Sequence, residues 1–316
     1  LHGLGLKDLY MSRLDEILQV PPFSLAKNEK RELFIEVLKK LTNHHYNYCR
    51  EYKKIIDTIG TSKINANSIS DLPFLPIQLF KLYDLLSTEK TNIVKTITSS
   101  GTKGTGVSRI FLDRQTALNQ TKTLIRIMSN LIGSNRLPLL IIDSESTVAD
   151  RRKISARAAG ILGFSIFSSD TTFALNESMQ LDYDLVAQFG LKHQGKPILL
   201  FGFTYIIWRH FHEELTRLNK HLNLNQGILL HGGGWKNMEE LSIDNSTFKK
   251  NTNTLTGIRK VHNYYGMAEQ TGSIFLECEN GYLHSSNFSD VIIRRPNFSE
   301  CEFMESGLIQ VNSILP

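Results

Sequence analysis

Cysteine is scarce in this chain. Cys49, Cys278 and Cys301 stand far apart, with no paired spacing. An odd, scattered set argues against a disulfide framework and against a zinc site, and fits a reducing cytoplasm. No uninterrupted apolar run is long enough to cross a bilayer, so no membrane span is expected. Leu1–Tyr10 lacks the basic patch and long apolar stretch of a signal peptide. Met11 is a candidate native start, with the ten residues before it a reading-frame remnant. No internal repeat or low-complexity segment is visible. No dense Lys/Arg tract accompanies the formal charge of +5 and the pI near 9.0. A solvated mixed-charge surface accounts for so mild an excess, which excludes nucleic acid as an expected partner and leaves room for a small polyanion.

What is present describes a globular protein. Of 316 residues, 41% are apolar and 21% charged, enough for one large domain or two ordinary ones, each with a proper core. Residues 1–90 read as helical. Ser24–Leu41 carries apolar residues at helical intervals, and His44–Ile59 has near-periodic tyrosines that suit a packed aromatic face. Asp71-Leu-Pro-Phe-Leu-Pro76 is a proline-punctuated link.

From Ile93 onward strand and helix alternate. Strands are expected at Asn92–Thr98, Arg109–Leu112, Leu137–Asp143, Phe164–Phe167, Pro197–Phe201, Gly227–His231 and Ile258–His262. Helices are expected at Thr116–Leu131, Asp150–Leu162 and Thr204–Leu218. Such alternation predicts an α/β fold, a mostly parallel sheet covered by helices. After Lys260 the pattern is strand-rich: Ser273–Cys278, a turn at Asn280-Gly281, Tyr282–His284, Asp290–Arg294 and Gly307–Asn312. The expected organisation is a helical region over 1–90, an α/β nucleotide-binding core over 91–260 and a strand-rich end over 261–316.

Three segments carry chemistry. Thr98-Ser99-Ser100-Gly101-Thr102-Lys103-Gly104 follows one expected strand and precedes another. Its glycines let the backbone approach a phosphate, its N–H and O–H groups are donors, and Lys103 adds a cation. Taken alone it reads equally as a Gly/Ser-rich hairpin loop. It is not a Walker A loop, for no Gly-Lys-Ser/Thr ending or helix follows. The second segment, Asn263-Tyr264-Tyr265-Gly266-Met267-Ala268-Glu269, brings two aromatics and a carboxylate to the carboxyl end of a strand, where ligands of open α/β sheets bind. An aromatic face suits a purine, and Glu269 suits the Mg²⁺ that accompanies a triphosphate. A packed Tyr pair and a surface Glu are the plainer alternative. The third, His231-Gly232-Gly233-Gly234-Trp235-Lys236, is a glycine run after a strand, where the backbone meets either a ligand or another strand closely.

In this order the segments resemble the adenylate-forming superfamily of acyl-CoA synthetases, peptide-synthetase adenylation domains and luciferases. A narrower resemblance covers nearly the whole chain. Pro22–Lys27, His44–Tyr52, Phe74–Lys81, Val107–Asp113, Ser155–Gly163 and His231–Lys236 are similar to the acyl-protein synthetase component of the bacterial bioluminescence fatty-acid reductase. That resemblance implies an AMP-forming acid–thiol ligase using ATP and Mg²⁺. It implies activation of a long-chain fatty acid, or another small carboxylic acid, as acyl-AMP, transfer to a cysteine, and hand-over to an acyl reductase partner.

By the same resemblance Thr98 and Glu269 are catalytic and Glu269 holds the metal. Thr98–Gly104 binds the phosphates, Gly232–Gly234 lines the adenine, and Tyr264, Tyr265, Gly266 and Met267 complete the nucleotide site with Tyr265 against the base. A coenzyme A ligase similar to phenylacetate-CoA ligase and a non-catalytic nucleotide-binding relative are the alternatives.

Ala268 stands where the superfamily motif has Thr, and Lys103 replaces a second Thr. The resemblance also implies a ribose-binding acid, a small C-terminal lid and an acyl-accepting cysteine beyond Pro316. On that expectation the 316 residues fold, bind nucleotide weakly and are not stably acylated, and Cys301 is a surface thiol.

Overall fold

The structure, a computed structural model, describes residues 6–60, 66–99, 106–149, 155–235 and 243–315, with the backbone alone for 6–12. It forms two compact units. One comprises Leu1–Asn130, Met267–Ile274 and Ser285–Pro316, the other Leu131–Gly266 and Phe275–His284. Among the described residues no helix is long and apolar enough to cross a membrane.

The first unit opens with helices α1 (Leu6–Gln19), α2 (Lys27–Tyr48) and α3 (Arg50–Ile59). Glu29 anchors the start of α2 by accepting from the Ala26 N–H at 3.1 Å. That helix buries Phe34, Val37 and Thr42. It runs through His44 to Tyr48, past the expected end at Leu41. The break falls at Cys49, which is extended, buried, and caps α3 by accepting from the Tyr52 N–H. Gly60, at φ 75°, closes α3 in the left-handed conformation.

A short helix, α4 (Leu79–Leu82), precedes a two-stranded antiparallel pair, β1 (Ile93–Thr98) and β2 (Arg109–Asp113). Helix α5 (Arg114–Ile132) follows, and its Arg126 Nε donates to the Val20 carbonyl at 3.1 Å, just beyond the end of α1.

The second unit holds a seven-stranded sheet. Its strands are β3 (Leu137–Ser144), β4 (Ser168–Leu175), β5 (Ile198–Phe203), β6 (Gly227–Gly232), β7 (Lys260–Tyr265), β8 (Phe275–Glu277) and β9 (Leu283–His284), in the order β4-β3-β5-β6-β7-β8-β9. The first five pair in parallel, and β8 and β9 are added antiparallel. Central parallel strands are buried on both faces and so read as unbroken apolar runs. Leu139, Leu140, Ile141 and Ile142 of β3 and Leu199, Leu200 and Phe201 of β5 are fully buried. Each such side chain contributes roughly 1.5–3 kcal/mol relative to exposure. The crossovers carry α6 (Ala156–Ser165), α7 (Tyr183–Lys192), a run of α8 (Thr204–Ile207), a π turn (Trp208–His212) and α9 (Glu213–Arg217), and α10 (Asn245–Thr256).

The expected α/β class is what forms, with one strand misplaced. Phe164–Phe167 is the last turn of α6 and its exit, because Phe164 packs from the helix onto Phe201 with ring centroids 4.3 Å apart. The strand comes next, at Ser168–Leu175. Its Ser-Ser-Asp-Thr-Thr start alternates between half-buried and exposed, as suits the sheet's edge. The expected strand Ile258–His262 begins two residues later, at Lys260, and runs to Tyr265. The turn at Asn280-Gly281 joins β8 to β9, with the Cys278 N–H donating to Tyr282 O at 2.9 Å and Gly281 at φ 83°.

In the first unit β10 (Ser289–Arg294) and β11 (Leu308–Ser313) form a hairpin in full register from Ser289↔Ser313 to Arg294↔Leu308. Cys301 lies in its connection. It is half-buried rather than a surface thiol, with its N–H donating to Ile293 O at 2.8 Å.

Candidate functional site

The first unit pins the ends of the expected phosphate segment. Thr98, the last residue of β1, pairs with Arg109, the first of β2. Just beyond, the Ser99 N–H donates to Ser108 O at 3.1 Å and the Ser108 N–H donates to Ser99 Oγ at 2.9 Å. These bonds close a neck from which the segment leaves and to which it returns. Thr98 and Ser99 are half-buried at that neck. Ser100, Gly101, Thr102, Lys103 and Gly104 lie outside the described residues. Ser108 is fully buried, and its Oγ has no hydrogen-bond partner among them.

Glu269 occupies a 3₁₀ turn, Ala268–Gln270, that packs against β2, the strand leaving this neck. The turn is held from its far side. Gln270 Nε2 donates to Asn312 O at 3.0 Å, and Thr271 Oγ1 donates to Gln120 Oε1 at 2.6 Å. Gly272, at φ 87°, lies so close to Gln120 that an added Cβ would stand 2.6 Å from its Cα.

Glu269 itself is half-buried and has no hydrogen bond or ion pair among the described residues. A carboxylate with no counter-charge among the described residues suits a hard divalent cation. No group of three His, Cys, Asp or Glu side chains forms a cage among the described residues. Magnesium accepts such a site, because it keeps several waters and takes its remaining ligands from phosphate oxygens.

The second unit brings the glycine run and the aromatic strand together. In the parallel register of β6 and β7, Gly232 lies beside Tyr264. Gly233-Gly234 and Tyr265-Gly266 therefore emerge side by side at the carboxyl ends of neighbouring strands. The two tyrosines point to opposite faces, as successive strand residues must. Tyr264 is 9% exposed, packs on Phe164 and Phe201, and burial pushes its phenol far above the ordinary range. Tyr265 is 38% exposed and meets Phe275 along one side. Of the two, only Tyr265 is exposed.

The three glycines are there for different reasons. A Cβ at Gly232 would lie 2.6 Å from both the Tyr264 ring and its carbonyl oxygen. One at Gly233 would meet Phe203 at 2.6 Å, in a backbone already at φ 80°. Gly234, at φ 61°, has nothing within 4 Å among the described residues. The first two are demanded by the protein's own packing, and the third is not.

Sequence reading missed the groups that hold this backbone. Glu277 of β8 is buried and accepts from the Asn263 N–H at 2.8 Å, from Lys249 Nζ at 2.9 Å and from Asn245 Nδ2. It fixes the start of the aromatic segment to α10. A carboxylate inside the apolar run Ile274-Phe-Leu-Glu-Cys278 was its one visible signal. Asp143, buried at the carboxyl end of β3, accepts from Arg157 Nε at 2.6 Å and Thr147 Oγ1 at 2.7 Å. That gives the Ser155–Gly163 segment a structural anchor.

Two buried histidines accompany them. His231 stacks on Phe248 at 4.3 Å, and His212 lies 5.1 Å from the same ring. Burial holds both down to about 3, with Lys249 adding to the effect on His231. In the first unit burial holds His45, bonded to Ser87 Oγ at 2.7 Å, down to about 4.

These shifts predict acid sensitivity. Unfolded histidine titrates near 6.5, so below that pH the unfolded chain binds protons that the folded chain refuses. Stability is full above about pH 6.5 and falls as pH drops through the window toward the folded values. Each buried histidine removes about 2 kcal/mol by pH 5. Urea titrations at pH 7 and pH 5 should show the loss before most carboxylates protonate. Equal midpoints at the two pH values would contradict the buried, neutral assignment.

The family model described as acyl-protein synthetase, LuxE, matches residues 7–316. The chain is 21% identical over 277 residues to a long-chain-fatty-acid–luciferin-component ligase of Vibrio harveyi, covering 84% of this chain and 70% of the relative. To the protein of that description from Aliivibrio fischeri it is 22% identical over 275 residues, covering 83% and 69%.

Among solved structures, a 2-hydroxyisobutyryl-CoA ligase in an open conformation with 2-HIB-AMP and CoA superposes with a TM-score of 0.66 at 13% identity. The match covers 92% of this chain and 62% of that one. The same ligase in its postadenylation state gives 0.66 at 15% identity, covering 93% and 61%. The fold is the one these ligases share, and the chain spans less than two thirds of their length.

Proposed function

The chain belongs to the LuxE acyl-protein synthetase family, and from that premise we propose that the protein activates a long-chain fatty acid with ATP as acyl-AMP. The observation that carries this reading is the register of β6 and β7, which pairs Gly232 with Tyr264 and so brings Gly234 and the exposed Tyr265 to the carboxyl ends of neighbouring strands. Glycine backbone next to an aromatic face, at the carboxyl end of a parallel sheet, suits a purine.

In the adenylation step the carboxylate oxygen attacks the α-phosphorus. The bond to the bridging oxygen breaks, and pyrophosphate leaves with the electron pair. The attacking group is already an anion at pH 7, so no general base is needed. The protein's work is positioning and charge neutralisation. Thr98 and Ser99 at the neck, with Ser100, Gly101, Thr102, Lys103 and Gly104 beyond it, donate to the phosphates. Glu269 would hold Mg²⁺, which when bound would supply charge neutralisation at the phosphates. Tyr265 lies against the adenine, with Gly234 along its edge and Gly266 and Met267 continuing the same strand end.

Tyr264 has a different role here from the one its motif position implies. As a buried ring it backs Gly232 and does not touch the base. The reaction is completed in the cytoplasm by transfer to a protein cysteine as a thioester and hand-over to an acyl reductase.

Product analysis tests the reading. With labelled long-chain fatty acid, ATP and Mg²⁺, the protein should yield acyl-AMP and, where the acyl-accepting cysteine is present, a protein-bound thioester without coenzyme A. A product that forms only with coenzyme A makes the protein an acyl-CoA ligase. ATP binding with no acyl-AMP from any acid makes it a non-catalytic relative.

A further inference from the structure

Between β5 and β6 lies a buried polar pair that the adenylation reading leaves without a task. Thr204 is the residue that comes directly after β5, and it opens α8 with its side chain buried. Its Oγ1 stands 2.9 Å from His231 Nδ1 and 3.1 Å from the carbonyl oxygen of Gly232. A hydroxyl has one proton to give. The Gly232 carbonyl can only accept, so it takes that proton, and Thr204 Oγ1 must accept from His231 Nδ1–H. This chain of two bonds fixes the tautomer of His231: proton on Nδ1, bare nitrogen at Nε2. Two further observations agree. Nε2 is buried without a partner among the described residues, which an acceptor tolerates better than an N–H does. Stacking on Phe248 at 4.3 Å holds the ring plane.

The bond to Gly232 O matters because that carbonyl belongs to the peptide entering the next two glycines. The peptide joining Gly232 to Gly233 is planar, so fixing its carbonyl also fixes the direction of the Gly233 N–H on the opposite side. Gly233 and Gly234 then take φ of 80° and 61°, where glycine has little preference of its own. Backbone this permissive presents one geometry only if something outside the run sets it. Phe203 limits Gly233 by contact, since an added Cβ would meet its ring at 2.6 Å. Thr204, the next residue along, sets the peptide plane by hydrogen bonding.

We infer that Thr204 and His231 are positioning residues that set the peptide plane entering Gly233-Gly234 and thereby order the backbone edge that receives the nucleotide base. The inference rests on the nucleotide role proposed for this run. Neither side chain touches the reacting atoms.

Substitution of both partners tests it. Thr204→Val keeps the shape and removes both bonds, and Thr204→Ser keeps the hydroxyl. His231→Asn retains an N–H donor near the position of Nδ1, and His231→Leu retains none. Thr204→Val leaves the buried Gly232 carbonyl unpaired, so KM for ATP should rise by about tenfold, and by less in His231→Leu, where Thr204 keeps its bond to that carbonyl but loses the ring that orients it. The KM for the acid should hold near wild type, and the Ser and Asn variants should recover most of the loss.

A purely structural role would lower the melting temperature and leave the ratio of the two KM values unmoved, which would overturn the inference. Histidine ring ¹⁵N shifts supply a readout independent of turnover. His231 should carry its proton on Nδ1 in the wild type and lose that fixed preference in Thr204→Val. A wild-type proton on Nε2 would also overturn the inference. If the wild type binds no ATP, the nucleotide reading falls, and the tautomer together with hydrogen exchange at the Gly233 amide still decides whether the clamp exists.

Discussion

Glu269→Gln is expected to lower acid-dependent pyrophosphate exchange by about a hundredfold or more, the usual loss when one transition-state electrostatic contact is removed. It should also flatten the Mg²⁺ dependence of what remains. The substitution is nearly isosteric and changes one charge. Glu269 makes no hydrogen bond or ion pair among the described residues, so no fold-stabilising contact among them is lost with it. Its turn is held by Gln270 and Thr271, which the change leaves alone. The melting temperature should therefore stay near wild type while exchange collapses. A variant with an unchanged Mg²⁺ titration would place the metal-binding carboxylate elsewhere.

Gly101→Val is the second large effect. The neck that closes the segment is formed by Ser99 and Ser108, so the β1–β2 pair does not depend on residue 101. A β-branched side chain at 101 stiffens the backbone and stands where phosphate oxygens need close approach. Exchange should fall to background while circular dichroism and melting stay those of the wild type. Exchange at the wild-type rate would remove Thr98–Gly104 from the phosphate site.

The parts of this fold that were legible in the sequence are those where burial leaves an unmixed signal. Leu139–Ile142 and Ile198–Phe201 read as strands because both faces of a central parallel strand are apolar. The edge strand Ser168–Leu175 was hidden because half its residues face outward and the apolar Phe164 and Phe167 beside it drew the assignment. Helix α10 was hidden by composition, since Asn245–Thr256 is rich in Asn and Thr, both weak helix formers. Its ends were readable all the same. Asp244 caps it by accepting from the Thr247 N–H at 2.8 Å, and Gly257 closes it at φ 75°.

At the candidate site the glycine run was recognisable, but its causes were not. Tyr264 and Phe203 explain Gly232 and Gly233, and they lie 32 and 30 residues away in the chain. That Tyr265 and not Tyr264 faces outward follows from strand alternation once one of the pair is known to be buried. Thr204, His231 and Glu277 left almost no trace, because their bonds join residues that only the sheet's register brings together.

The central claim is that the nucleotide at Gly234 and Tyr265 is ATP and that a fatty acid attacks its α-phosphorus. Exchange of labelled pyrophosphate into ATP measures this step alone, before any acceptor thiol is involved. With Mg²⁺ and a long-chain fatty acid, the protein should return label to ATP at a rate that depends on both, and leaving out the acid should abolish it. Label returned equally without acid, or none returned with any acid while ATP binds and raises the melting temperature, would contradict the account.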